Sequence, residues 1–303
     1  MASFARKVIR SVFGAAEHVA PRLTGRAAFE IFCRTANPNA PSPREQKAID
    51  QAARFMAEGR RHCLPIKSGS VTVFDFRPLD SAPTAGTVLV IHGWHSRTEY
   101  MKTVVEGFRD AGHRVISLDL PGHGHSSGRR LNMVLAVDAV RAVGEWFGPF
   151  KAVVGHSFGG AVAVNAAVGS VEGIPPLAAE RLVLIAAPSS MPAIFEDFGR
   201  FLNLGPRSQI AVNDQVERIA GRPLSQFVGS EQLALTPIPT LVIHAPDDRE
   251  VSPDSARMFA AAGDHVHLYW ARGLGHRRIL ADPEVVDESV RFVAEQKQPE
   301  LVH

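Results

Sequence analysis

The most restrictive stretch of the chain is Val153-Val154-Gly155-His156-Ser157-Phe158-Gly159-Gly160-Ala161. A β-branched apolar run enters it, a run of small residues leaves it, and one serine stands at the junction. The spacing Gly155-x-Ser157-x-Gly159 is that of a sharp strand-to-helix turn that strains the backbone at the serine. Small residues flank Ser157 because a side chain there would collide across the turn. Such a corner delivers one hydroxyl to the N-terminus of a helix, where developing negative charge is favoured.

The surrounding chain alternates in the way this corner demands. Apolar strands are expected at Thr87–His92, Arg114–Leu118, Ala152–Gly155, Arg181–Ala186, Thr240–Ala245 and Val266–Trp270. Helices are expected between them: Thr98 to Ala111, Leu131–Phe147, Phe158–Val168, one starting at Ser252-Pro253, and a last one from Pro283 to Gln298. Cys63–Lys67 and Val71–Phe76, around Ser68-Gly69-Ser70, read as an antiparallel hairpin. Short buried strands separated by helices imply an α/β protein with a mostly parallel sheet covered on both faces. Pro188–Pro237 breaks the rhythm with short apolar clusters, is too long for a plain loop, and reads as a helical insertion. The chain therefore divides into an N-terminal helical extension (1–60), a core (61–187 and 238–303) and a helical cap (188–237).

In the extension, Phe4, Val8, Ile9, Val12, Phe13 and Ala16 share one helical face, with Arg6, Lys7 and Arg10 opposite. Leu23, Ala27, Ala28, Ile31 and Phe32 form a second amphipathic set. The plain expectation is two helices packed through those faces on the domain or on a partner. The sharper alternative is weak contact with a membrane surface through residues 3–34. Asn37 to Pro43 reads as a linker, and Ser42-Pro43-Arg44-Glu45 as a capping box opening a helix that runs to Glu58.

A formal net charge of +2 over 303 residues gives no footprint for a nucleic-acid partner. Cys33 and Cys63 match no metal spacing and read as reduced thiols, which fits a cytoplasmic compartment. No apolar run approaches the length of a membrane span, and no h-region suggests a secretory signal.

A serine hydroxyl needs a base to act as a nucleophile at neutral pH. In sheets of this kind ligand chemistry gathers at the carboxyl ends of the strands. His276, in the glycine-flanked loop Gly273-Leu274-Gly275-His276 past the last strand, is the best-placed base. Asp247 and Asp248 follow the strand ending at Ala245. Asp248 is preferred as the carboxylate that orients His276, since its neighbour can cap the turn. The order Ser157, Asp248, His276 suits this architecture. An oxyanion would be held by the N–H groups of Phe158, just after the serine, and of Trp94, in the loop opened by His92-Gly93. His92 is expected to brace that loop. Trp94 and His95 point toward the pocket mouth as candidate substrate contacts. His123 and His125 have no third ligand nearby, so no metal is expected, and no nucleotide or cofactor fingerprint occurs.

These residues together resemble the α/β-hydrolase superfamily over about residues 63–298. The matching pieces are His92-Gly93-Trp94, Asp119-Leu120-Pro121-Gly122-His123-Gly124-His125-Ser126, the corner at Ser157, the loop Ala245-Pro246-Asp247-Asp248-Arg249-Glu250-Val251, and Gly275-His276. The resemblance implies an eight-stranded, mostly parallel sheet flanked by helices, with a cap after the sixth strand, where 188–237 falls. In the family's acid loop the catalytic aspartate lies three residues before a valine, which again selects Asp248. The closest likeness is to single-domain bacterial carboxylesterases and lipase-like hydrolases. A serine hydrolase acting on a small-molecule ester, without cofactor, is the resulting expectation. The alternatives are a thioesterase, amidase, carbon–carbon hydrolase or lysophospholipase with the same triad, or a ligand-binding signalling protein on this fold.

Overall fold

The computed structural model describes residues 2–37, 40–79 and 84–295, excepting the side chains of residues 2–6 and of Arg44. Three helices, α1 (Ala2–Val19), α2 (Pro21–Cys33) and α3 (Pro43–Glu58), precede the hairpin β1 (Arg60–Ile66) and β2 (Gly69–Phe76). Alternation follows through β3 (Thr87–Ile91), α4 (Lys102–Asp110), β4 (Arg114–Leu118), α5 (Met133–Phe147), β5 (Ala152–His156), α6 (Phe158–Val168) and β6 (Leu182–Ile185). The 188–237 segment carries α7 (Met191–Leu202), α8 (Pro206–Ala220) and α9 (Gly229–Leu235). The chain closes with β7 (Thr240–His244), α10 (Asp254–Ala260), β8 (Val266–Trp270), the single turn α11 (Gly275–Arg278) and α12 (Pro283–Ala294).

The strands form one eight-stranded sheet in the order β1-β2-β4-β3-β5-β6-β7-β8. Only β2 runs against its neighbours β1 and β4; all other pairs are parallel. The expected fold class therefore holds. The period-2 alternation of strand side chains sorts the interior into two layers. Leu89, Ile91, Val153, Leu182, Leu184 and Val242 face the layer beneath α5 and α6, while Val88, Val90, Val154, Val183, Ile185 and Ile243 face the one beneath α4 and α12. Chain direction across the sheet reverses between β3 and β5, so the loops that leave these adjacent strands diverge around a crevice.

Several boundaries differ from expectation for local reasons. The hairpin turn is Lys67-Ser68, because Ile66 pairs with Gly69. A 3-10 turn at Thr98–Met101 precedes α4. Helix α5 starts two residues late, at the cap where Asn132 Oδ1 accepts from Leu135 N–H at 2.9 Å. Helix α10 starts after Ser252 Oγ, which accepts from Asp254 N–H at 3.2 Å. The capping box at Ser42 and Glu45 forms as its sequence dictates. The last helix ends at Ala294, where Glu295 turns extended, short of the expected Gln298, and residues 38–39 of the expected linker lie outside the described residues.

The N-terminal helices need a correction. Helix α2 packs on α8 at Gly25, where a Cβ would lie 2.6 Å from Ala211 Cβ, and stacks Phe29 on Phe195 of α7 with ring centroids 6.1 Å apart. Helix α1 packs on the body through Phe13, but Val8, Ile9 and Val12 of the same expected face are left exposed, and the side chains of Phe4 and Arg6 lie outside the described residues. The cause is a polar clamp. Arg10 donates to the carbonyls of Arg200 (2.7 Å) and Phe201 (2.6 Å) at the C-terminal end of α7. The buried Glu17 carboxylate accepts from Arg207 N–H (3.0 Å) and Ser208 N–H (2.9 Å) at the first turn of α8. A cation thus sits at one helix C-terminus and an anion at another helix N-terminus, each the favourable sign.

Candidate active site

The corner after β5 is built as its glycines require. Ser157 sits at φ 52°, ψ −124°, and its N–H donates to Ile185 O at 2.8 Å, which ties the strained residue to β6. A Cβ on Gly155 would come within 2.6 Å of Gly160 Cα, and one on Gly159 within 2.8 Å of Ile91 C. Helix α6 can therefore press directly on the sheet, and Ser157 stands at its N-cap position.

The structure brings Ser157, His276 and Asp248 together from three separate segments. His276 Nε2 lies 3.0 Å from Ser157 Oγ, and its Nδ1 lies 2.8 Å from Asp248 Oδ2. His276 is carried by α11 rather than by an open loop, because the glycines before it let the chain coil into one helical turn. Its carbonyl accepts from His156 Nε2–H at 2.9 Å, which fixes the turn to the residue preceding the serine. Asp248 Oδ1 accepts from Glu250 N–H (2.8 Å) and Val251 N–H (3.0 Å). Burial alone would raise the Asp248 carboxyl; the His276 hydrogen bond and these two amides outweigh it and hold the group below the ordinary carboxylate range. Asp247 instead accepts from Gly273 N–H at 2.9 Å and bridges the two loops without touching His276.

Opposite Ser157, the loop after β3 is held by histidines. His92 is fully buried; its Nε2 accepts from Leu120 N–H at 2.9 Å, so Nδ1 carries the proton and donates to Gly93 O at 2.8 Å. His95 adopts φ 53°, and its N–H donates to His123 Nε2 at 3.1 Å. Burial, and then the nearby His92, push His123 down to about 3, so it stays a neutral acceptor. With His95 N–H engaged, Trp94 N–H and Phe158 N–H are left without a protein acceptor among the described residues. Gly93 admits the close approach, since a Cβ there would lie 3.0 Å from Ser157 Cβ. His125 does not join His123 around a common centre: its N–H and Nδ1 both engage Asp119 Oδ2, at 2.8 and 3.2 Å.

Above Ser157 opens a cavity of about 660 Å³. Trp94 and His95 line it, as do Phe158, Val251 and Met258 from the core and Ile194 and Phe198 from α7. Ile31, Phe32 and Arg34 also line it, and sequence reasoning missed them. The Phe32 ring lies 4.4 Å from Phe195, 5.1 Å from Phe198 and 5.4 Å from Trp94, so α2 and α7 form one aromatic wall. The one available signal was that Phe32 ends an amphipathic run with two apolar partners to choose between, and nothing local names the partner. Among the described residues no helix is long and apolar enough to cross a membrane, and no group of three His, Cys, Asp or Glu is placed to hold a metal ion.

A model of the alpha/beta hydrolase family matches residues 88–288, most of the chain. The chain belongs to that family. The dihydrolipoyllysine-residue acetyltransferase component of the acetoin cleaving system from Cupriavidus necator is 41% identical over 87 residues, 28% of this chain and 23% of that protein. The chain thus spans less than a quarter of that relative's length. Among solved structures, Est1E from Butyrivibrio proteoclasticus aligns with a TM-score of 0.61 at 16% identity, covering 78% of this chain and 99% of that one. Proline iminopeptidase from Mycobacterium smegmatis aligns with a TM-score of 0.59 at 19% identity, covering 77% and 97%. At such identities the likeness is one of fold, and this α/β hydrolase must be read from its own site.

Proposed function

We propose that the chain is a serine hydrolase that cleaves carboxylic esters through an acyl-enzyme, with Ser157 as nucleophile, His276 as general base and Asp248 as its orienting carboxylate. The observation that carries the reading is the unbroken relay Ser157 Oγ, His276 Nε2, His276 Nδ1, Asp248 Oδ2, with steps of 3.0 and 2.8 Å, at the floor of the cavity. Ser157 attacks the acyl carbon while His276 takes its proton. The oxyanion is held by Phe158 N–H and Trp94 N–H, with the N-terminus of α6 behind them. His276 then gives its proton to the leaving alkoxide, and a water deprotonated by His276 releases the acid from Ser157. Helices α7 to α9 act as the cap. The wall of Phe32, Trp94, Ile194 and Phe198 takes the apolar part of the substrate, and His95 lies at the mouth. With Cys33 buried and Cys63 exposed as free thiols, we place the enzyme in the cytoplasm.

The test is hydrolysis of p-nitrophenyl esters from acetate to palmitate by the wild type and by Ser157→Ala, with fluorophosphonate labelling alongside. Turnover and labelling that both vanish in the variant support the reading. A wild type that neither turns over any ester nor takes the label refutes it. Labelling with turnover confined to thioesters or amides would keep the nucleophile and change the bond.

A further inference from the structure

The side of α1 that faces away from the body carries four exposed aliphatic residues, Val8, Ile9, Val12 and Val19, among Lys7, Ser11 and His18. Val8, Val12 and Val19 recur along it at helical spacing, Val12 59% and Val19 87% exposed, while Arg10 and Glu17 face inward. Leu23, 64% exposed, and Ile31 carry the strip along α2, and Ile31 lies at the rim of the cavity above Ser157. A helix folded only for its own core would not leave three valines in water. So many large aliphatic side chains left in water on two adjoining helices mark a surface for something else.

Charge says what that something is. Lys7, Arg22 and Arg26 are exposed on the same two helices, and Arg34 is exposed just past the end of α2. The acidic residues of the pair are both committed, Glu17 to the first turn of α8 and Glu30 to Arg130. The strip is therefore flanked by cations with no free acid on either helix. We propose that α1 and α2 dock on an anionic lipid surface, with the valines and Leu23 in the acyl boundary, the arginines over the headgroups and the cavity mouth presented to the interface. A second copy fits worse, because a two-fold contact through this strip sets the cations of one chain against those of the other. The inference is independent of the ester reading, since it is read as partition.

The experiment is co-sedimentation of the full chain with vesicles of phosphatidylcholine alone and of phosphatidylcholine with phosphatidylglycerol, at low and high salt. The expected result is binding to the anionic vesicles that salt reverses. The double variant Arg22→Glu/Arg26→Glu lowers that binding by about tenfold or more, and Val12→Ser/Leu23→Ser lowers it too. Both variants keep the wild-type circular dichroism and the wild-type turnover of a short soluble ester, because none of the four residues lines the cavity. Equal binding to both vesicle types, no binding at low salt, or variants that bind like the wild type would each overturn the proposal. So would a lipid-free dimer, seen by sedimentation velocity, that Val12→Ser/Leu23→Ser dissolves.

Discussion

The floor of the cavity and its wall are made in opposite ways. The floor comes from chain that turns at the ends of buried parallel strands: Ser157 after β5, Asp248 beyond β7, His276 beyond β8. Each side chain is set by bonds to its immediate surroundings, such as Ser157 N–H to Ile185 O or Asp248 to the amides of Glu250 and Val251. The wall is assembled from segments far apart in sequence, Phe32 against Phe195 and Phe198. Chemistry needs positions held to a fraction of an ångström, which a sheet edge supplies. Selectivity needs only a shaped apolar surface, which two packed helices supply. A change in the floor should therefore remove turnover, and a change in the wall should redirect it.

The largest effect is expected at the nucleophile. Ser157→Ala should lower kcat by about 10⁶ with KM little changed, since the removed oxygen makes its bond only in the transition state. Asp248→Asn should cost about 10⁴ in kcat, whereas Asp247→Asn should stay within a few-fold, because an amide oxygen can still accept from Gly273 N–H. Equal losses in the two aspartate variants would break the assignment of Asp248 as the orienting carboxylate.

This contrast also explains what is legible in the sequence alone. Gly155-x-Ser157-x-Gly159 demands one local geometry, and the strand alternation around it yields the sheet and the positions of Asp248 and His276 with no knowledge of distant contacts. Phe32 could not be read so, because its burial depends on where α7 lands. Helix α1 misleads in part: its apolar periodicity predicts packing through Val8 and Val12 as well as Phe13, while the clamps of Arg10 on α7 and Glu17 on α8 leave only Phe13 of these three against the core. His123 is an intermediate case. Its sequence marks it only as a turn residue, and its acceptor role toward His95 N–H follows from a neutrality that burial imposes. The one helical turn under His276 is too short to carry a periodicity.

On the wall, Phe32→Ala should leave kcat for an acetate ester within a few-fold and raise KM for long-chain esters by about tenfold or more, the scale of losing a buried aromatic contact. A uniform loss across all chain lengths would mean that α2 supports the floor, and the division between the two regions would fail.

His156 sharpens the comparison through pH. Burial, and after it the His276 ring 4.9 Å away, push His156 down to about 4. A histidine in the unfolded chain titrates near 6.5. Because the folded value is the lower, the unfolded state binds more protons between the two, and stability intact above about pH 6.5 is lost as pH falls toward 4. The slope is up to about 1.4 kcal/mol per pH unit. His156 Nδ1 is buried without a partner, so nothing in the fold receives the added proton. Melting temperatures measured from pH 7.5 to 4.5 should fall less steeply in His156→Gln than in the wild type. Parallel curves would remove His156 from the acid sensitivity of the floor.

The smallest effect should lie farthest from the chemistry, where α1 meets the cap. Glu17 satisfies the Arg207 and Ser208 amides at the start of α8 in place of the helix's own cap, since Gly205 at that position has no side chain to do so. Glu17→Ala removes a capping acceptor, which costs about 1–2 kcal/mol and should lower the melting temperature by about 2–8 °C. Because Glu17 lines no part of the cavity, kcat/KM for short and long esters should stay within about twofold at a temperature where the variant is folded. If Glu17→Ala instead shifts chain-length preference as Phe32→Ala does, the clamp sets the rotation of α2 over the cavity, and the wall extends one helix further from the serine than its lining residues indicate.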